Sequence, residues 1–255
     1  SVSFKDIRKS EGKDRDTLYF NAYTEDLFTW DNDLDNNTNH YLVLNENSHF
    51  FDGMEGSDIE NKVRPFLHRF VDFDFKILPK DREYPKPRIS FLRTEDKLDE
   101  NGNKIVVQDI KISRGEETLF IWCFFLAIVQ MAIDGNERYK WVEYLYIDDP
   151  VSSLDDNHAI SIGAHLAQIL KREDNKIKTI ISTHHGLFYN VMCNELGTAY
   201  AFFMKKLNTN AGYSLISMRD TPFFHHVIMA HTLYKAVQSE QLFTYHFNML
   251  RNLME

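Results

Sequence analysis

The hydrophobic and polar positions of this chain change rhythm about halfway along it. In the first part the period is two. Thr17 to Tyr23 alternates and is rich in aromatics, and Val71 to Ile77, Arg88 to Leu92 and Lys104 to Ile112 also read as strands. Asn101-Gly102 stands in a polar stretch between the last two and predicts a hairpin turn. The later three strands would form a small antiparallel sheet. Glu25 to Asn37 is acidic and aromatic, then rich in Asp and Asn, and predicts a surface loop.

From Glu116 the rhythm becomes helical, interrupted by short apolar runs. A long helix from Glu116 leads to a strand at Tyr144 to Ile147 and a helix from about Asn157 to Lys171. A strand at Thr179 to Ser182 and a helix from about Leu187 to Leu196 follow. Helices alternating with apolar strands predict a parallel sheet flanked by helices on both faces, so the fold class is α/β. Tyr200 to Leu207 and Tyr213 to Met218 predict a closing hairpin. Phe224 to Ser239 and Thr244 to Glu255 are helical, with an apolar stripe. No internal repeat and no low-complexity linker is visible.

Composition narrows this picture. Of 255 residues 43% are hydrophobic and 14% aromatic, which fits a folded chain and excludes a disordered one. A net charge of −9 argues against a nucleic-acid binder that relies on global charge. Lys62, Arg64, Arg69, Lys76, Lys80, Arg82, Lys86, Arg88 and Arg93 crowd one segment, as a solvated face or as a phosphate-contacting patch; the solvated face is preferred. Cys123 and Cys193 are far apart and in no metal-binding spacing, which favours reduced thiols and a cytoplasmic location. No signal-peptide pattern is seen. Leu119 to Ala132 is shorter than the roughly 20 residues a bilayer requires, and reads as a buried helix with no membrane partner.

Three stretches carry chemistry. Tyr144 to Asp155 reads as a buried strand that delivers Asp148 and Asp149, then turns at Pro150 into a polar loop through Ser152 and Asp155. Carboxylates at a strand end are suited to holding a metal beside a phosphate. Ile112-Ser113-Arg114-Gly115-Glu116 opens the long apolar helix, where free backbone N–H groups favour an anion. Ser113 also reads as an N-cap, with Glu116 completing a capping box, and both readings hold together. Ile181-Ser182-Thr183-His184-His185 ends the next strand.

In this order the three resemble the signature motif, the Walker B strand with its D-loop, and the switch histidine of ABC-type ATPases. The resemblance implies an ABC-type core with a small antiparallel β-lobe and C-terminal helices. It implies ATP (or GTP) with Mg²⁺, Asp148 on the metal, and Asp149 as the base that polarises the attacking water. His184 would contact the terminal phosphate, and Ser113, Gly115, Glu116, Ser152 and Asp155 would face nucleotide across a head-to-tail dimer. Most ABC ATPases carry glutamate at the place of Asp149, so the shorter aspartate implies a slow, switch-like ATPase. Glu116 at the end of the signature motif points to the SMC branch. His185 is given no role.

No Gly-x-x-x-x-Gly-Lys-Ser/Thr run occurs, and Gly12-Lys13 lacks the upstream glycine. The reading preferred is a chain beginning just past that loop, with Ser1 to Ile7 as the tail of the P-loop helix. The other is a subunit that lends its signature motif to a partner. In either case the chain as it stands is expected not to bind ATP tightly alone.

Tyr19 to Asp33, Ile147 to His158 and Tyr245 to Glu255 resemble the PrrC-type anticodon nucleases, bacterial defence proteins with an ABC ATPase front end. The resemblance is weakest in the basic segment. It implies tRNA anticodon loops as substrate and a restriction-modification complex as restraining partner. Arg251 and Glu255, four apart on one helix, match the first two residues of that family's RNA-cleaving site, with an intrahelical ion pair as the alternative. The third, a distal histidine, has no counterpart, so this chain alone is expected not to cleave RNA. On this reading 1–223 is the ATPase domain, with the β-lobe about 17–112 and the α/β core about 113–223, and 224–255 opens the effector region. The alternative is an ATPase of another defence or DNA-repair complex acting through a separate nuclease. The lack of a sustained heptad pattern between Thr17 and Ile112 disfavours it. An ABC transporter ATPase fits least.

Overall fold

A computed structural model describes residues 16–21, 28–32, 40–45, 58–82, 84–99, 101–151, 154–197, 199–206, 212–218, 225–240 and 242–254. The expected P-loop-helix tail at 1–7 lies outside these. The chain divides into two compact units, Ser1–His184 and His185–Glu255.

The first unit holds two sheets with one helix between them. Strands β1 (Thr17–Asn21), β7 (Tyr144–Asp148) and β8 (Lys178–Ser182) form a parallel sheet in the order β1-β7-β8. An antiparallel sheet contains β2 (Phe28–Asn32), β3 (His40–Leu44), β5 (Arg88–Leu98) and β4 (Asp74–Leu78) in that spatial order, with β6 (Lys104–Gln108) paired to β5. The expected hairpin turn is present, with Gly102 at φ +81°, a conformation that glycine adopts without a Cβ clash.

Helix α2 (Arg114–Ile133) explains why its sequence is apolar on every side. One flank meets the parallel sheet, where Phe20 of β1 packs on Trp122 and Phe125 at ring distances of 5.1 and 4.7 Å. Another flank meets the antiparallel sheet, where Phe28, Phe75 and Phe91 gather around Phe120 at 5.0–6.1 Å. Leu119 to Val129 is buried without a break. By length and composition α2 is apolar enough to cross a membrane, but it is mostly buried within the protein.

Two expectations are corrected. Part of the loop expected at Glu25 to Asn37 is the strand β2, paired with β3; Phe28 drops into the core while Thr29 stays exposed. The strand at Thr17 belongs to the parallel sheet and not to the β-lobe, since Thr17–Asn21 runs in register with Tyr144–Asp148. Helix α1 (Ile59–Leu67) had no counterpart in the pattern reading. It buries Ile59, Val63 and Leu67 despite Pro65 in its last turn.

Much of the basic segment is spent inside the lobe. Arg64 pairs with Asp74 and Glu60. Arg88 lies over the Tyr84 ring at 3.7 Å and pairs with Asp81, while Arg93 joins Asp72 to Glu116. Lys62, Arg69, Lys76, Lys80, Arg82 and Lys86 are exposed.

Helix α3 (Asp156–Leu170) connects β7 to β8. The second unit holds α4 (Gly186–Leu196), the antiparallel pair β9 (Phe202–Lys206) and β10 (Tyr213–Ser217), and helices α5 (His225–Gln238) and α6 (Thr244–Met254), which pack together. The compact division at 184/185 does not coincide with the expected boundary at 223/224.

Candidate functional site

The carboxyl ends of the parallel strands fall level, with Asn21, Asp148 and Ser182 in one row of the register. In open α/β sheets this edge is where ligands are held. Asp148 ends β7 with both oxygens engaged. The Ser182 hydroxyl donates a short hydrogen bond to Oδ1, and the Tyr19 hydroxyl donates to Oδ2 at 3.3 Å. Tyr146 lies beside both partners, its ring 5.6 Å from that of Tyr19 and its hydroxyl 3.4 Å from Ser182 Oγ. The carboxylate is therefore fixed before any ligand arrives.

Asp149 has φ +53°, in the left-handed region that few residues other than glycine occupy. Aspartate and asparagine visit it more readily than most residues, because their short polar side chains can hydrogen-bond locally. Here the Asp149 N–H donates to the Ser182 carbonyl at 2.7 Å. The turned backbone sends the carboxylate to the end of β8. There Oδ2 lies 2.6 Å from His184 Nδ1, and Oδ1 accepts from the Thr183 hydroxyl at 3.3 Å and the His184 N–H at 3.4 Å. The aspartate and the histidine singled out from sequence are thus one pair, with His184 largely exposed and Asp149 largely covered.

A second cluster surrounds the start of α2. Ser113 caps it: its Oγ accepts from the Glu116 N–H at 3.3 Å, and Glu116 Oε2 accepts from the Ser113 N–H at 2.7 Å. The capping box is present as expected. Gly115 has no structural reason of its own, because a Cβ there would meet nothing within 4 Å. It faces a cavity of about 550 Å³ whose wall also includes Ser113, Glu116, Leu154, Asp155 and His158. Asp155 caps α3, accepting from the His158 N–H at 3.0 Å and lying 2.7 Å from the His158 ring, and these contacts hold its carboxyl below the usual range. The fold therefore brings Ser113, Gly115, Glu116 and Asp155 to one cavity, and Asp148, Asp149 and His184 to another edge.

Ser152 and Glu255 lie outside the described residues. Arg251 is exposed on α6 in the second unit. His185 caps α4, its Nδ1 accepting from the Phe188 N–H. Sequence reasoning missed Tyr19, Asn21 and Ser182 as neighbours of Asp148, because strand register alone brings them there.

The residues at this edge suit a divalent cation. A rigid carboxylate flanked by a hydroxyl suits Mg²⁺, which takes one or two carboxylates and completes its shell with phosphate and water. Asn21 Oδ1, in the same row, is buried and has no hydrogen-bond partner among the described residues, an oxygen in want of a cation or a water. Among the described residues no group of three or more His, Cys, Asp and Glu forms a self-sufficient metal cage.

Residues 89–255 match the AAA domain family. The chain belongs to this family, a class of nucleotide-hydrolysing ATPase domains. Its more particular likeness is to the anticodon nuclease of Escherichia coli, with 31% identity over 253 residues and 93% of this chain. The chain spans 62% of that protein's length. The resemblance read from the three stretches is thereby borne out. Among solved structures, the chain is similar to one from work on ATP-driven dimerisation and DNA-stimulated activation of SMC ATPases. That match has TM-score 0.42 and 14% identity, covering 74% of this chain and 95% of that one. It is also similar to an Smc head domain with coiled coil and joint from Pyrococcus yayanosii (TM-score 0.39, 15% identity, covering 62% of this chain and 26% of that one). Both likenesses are coarse.

Proposed function

We propose that this chain is the nucleotide-switch portion of a cytoplasmic anticodon nuclease. ATP or GTP, with Mg²⁺, would draw two copies together head to tail and so gate cleavage of tRNA in its anticodon loop. The observation that carries the ATPase part is the Asp149–His184 pair at the sheet edge, next to the fixed carboxylate of Asp148. Asp148 and the Asn21 amide oxygen would hold the cation, which would draw charge off the phosphates. At rest Asp149 is occupied by His184. A terminal phosphate would draw the His184 ring to itself and free the carboxylate. Asp149 would then take a proton from water as the water oxygen attacks the terminal phosphorus and the nucleoside diphosphate leaves.

The signature-side residues, Ser113 with Gly115, Glu116 and Asp155, would close over nucleotide held by the other copy. Ser152 would cross the interface beside them. Loss of the terminal phosphate would reopen the pair, and the C-terminal helices would pass that change to an effector that includes Arg251 and Glu255. A restriction-modification complex is the proposed restraint.

The test uses the protein at its full native length, with Mg²⁺, nucleotide and a tRNA pool, and reads cleavage by mapping fragment ends. Nucleotide-dependent cuts confined to anticodon loops, lost in Arg251→Ala, support the proposal. Intact tRNA under conditions where nucleotide is hydrolysed would reject the nuclease half and leave the ATPase half standing.

A further inference from the structure

The cavity at the start of α2 has a wall that the signature-like motifs do not include. The turn after α1 contributes His68, Arg69, Phe70, Val71 and Asp72. This turn belongs to the basic segment, where the family resemblance is weakest.

Its charges are not equally committed. Asp72 and Glu116 share Arg93, at 3.0 and 3.2 Å. Asp155 is taken up by His158 and the start of α3. His68 lies 3.8 Å from Asp74. Arg69 is the exception: it lines the cavity, and among the described residues no carboxylate pairs with it. Its charge is felt within the fold, since it helps burial to push His165 down to about 4. Arg69 also lines a neighbouring recess of about 300 Å³ beside His165 and Gln168, so its long side chain has room on two sides.

A guanidinium is always charged and carries five N–H donors in a planar fork that matches phosphate oxygens. One left without a carboxylate among the described residues, lining the same cavity as Ser113 and Gly115, is set to receive an anion that the chain does not itself supply. We propose that Arg69 is a further nucleotide-binding residue, reaching from the antiparallel lobe to the phosphates of a nucleotide carried by a second copy of the chain. The inference rests on the composite-site reading above and adds a contact from outside its motifs.

The experiment uses the full-length protein in an Asp149→Asn background, which stops turnover. Dimerisation is followed by analytical ultracentrifugation across a titration of ATP with Mg²⁺. Arg69→Ala is expected to raise the ATP needed for half-maximal dimer by tenfold or more, and Arg69→Lys by less. Arg82→Ala, an exposed cation outside the cavity, is expected to change nothing. Ser113→Arg, which fills the signature side, is expected to abolish dimer formation. If Arg69→Ala dimerises at the parental ATP concentration while Ser113→Arg fails, the role of Arg69 is overturned and the composite site stands. If Ser113→Arg dimerises like its parent, the composite site itself is wrong. Arg69→Gln, which keeps the stem, covers a structural role. Weak dimerisation in Ala and Gln that tracks a fall in Tm, and recovers on cooling, would also overturn the proposal.

Discussion

Asp149 shows how one backbone angle sets local chemistry. Its positive φ turns the carboxylate from the line of β7 onto His184, a conformation that suits glycine or a short polar side chain best and a β-branched one worst. Asp149→Asn is expected to keep the fold and Tm while lowering nucleotide turnover by about 10²-fold or more, since it would remove the proposed base but retain the shape. Asp149→Ile is expected to cost about 1–3 kcal/mol in urea melts as well. Equal stability of the two variants would show that φ at this position is not under strain. Gly115 gives an opposite signature. Because a Cβ there meets only open space, Gly115→Ala is expected to stabilise the isolated chain by about 0.5 kcal/mol, from the helix preference of alanine. The same change is expected to weaken nucleotide-driven association, where close approach is needed. A stabilised variant with unaltered association would mean the glycine is incidental.

At the level of elements, α2 carries the fold because it is shared by two sheets. Phe120 touches aromatic rings of β2, β4 and β5, so Phe120→Ala is expected to cost about 3–5 kcal/mol by chemical denaturation; a loss below about 1 kcal/mol would show the core to be elsewhere. The contact of α1 with α3 is sensitive to pH. His165 of α3 is buried with its ring 5.2 Å from that of Phe66, and burial holds it neutral down to about pH 4. An unfolded histidine titrates near about 6.5. Between those values the unfolded chain binds the extra proton, so this contribution is whole above about pH 6.5 and is lost as pH falls toward 4. The slope is at most about 1.4 kcal/mol per pH unit, and urea melts of His165→Phe are expected to lack it. An unchanged slope in that variant would assign the acid sensitivity to other groups.

What was legible in the sequence follows from how each element is buried. The strands β7 and β8 read clearly as apolar runs that end in polar residues. Strand β2 was hidden because Phe28 is followed so soon by Asp31 and Asn32, and α1 because Pro65 and a charged face interrupt its buried stripe. That β1 pairs with β7 was illegible, since Tyr19 and Asp148 meet across 129 residues by strand register. For the same reason Asp148, Asp149 and His184 were found as motif residues, while Tyr19, Asn21 and Ser182, which hold or flank them, were not.

Taken whole, the first unit gathers the motif residues in two places. One edge offers the carboxylates and His184, and the other offers Ser113 and Gly115 at an open cavity, with no lining residue in common. Under the proposed function, two copies arranged head to tail would bring the edge of one against the cavity of the other. The most direct test mixes two inactive full-length proteins, Asp149→Asn and Ser113→Arg, and measures nucleotide hydrolysis. Each alone is expected to be inactive. In the mixed dimer one composite site carries both defects and the other carries none, so mixing is expected to restore hydrolysis that neither protein shows alone, at no more than half the parental rate per mixed dimer. A mixture as inactive as its components, with mixed dimers shown to form, would contradict a site shared between two copies.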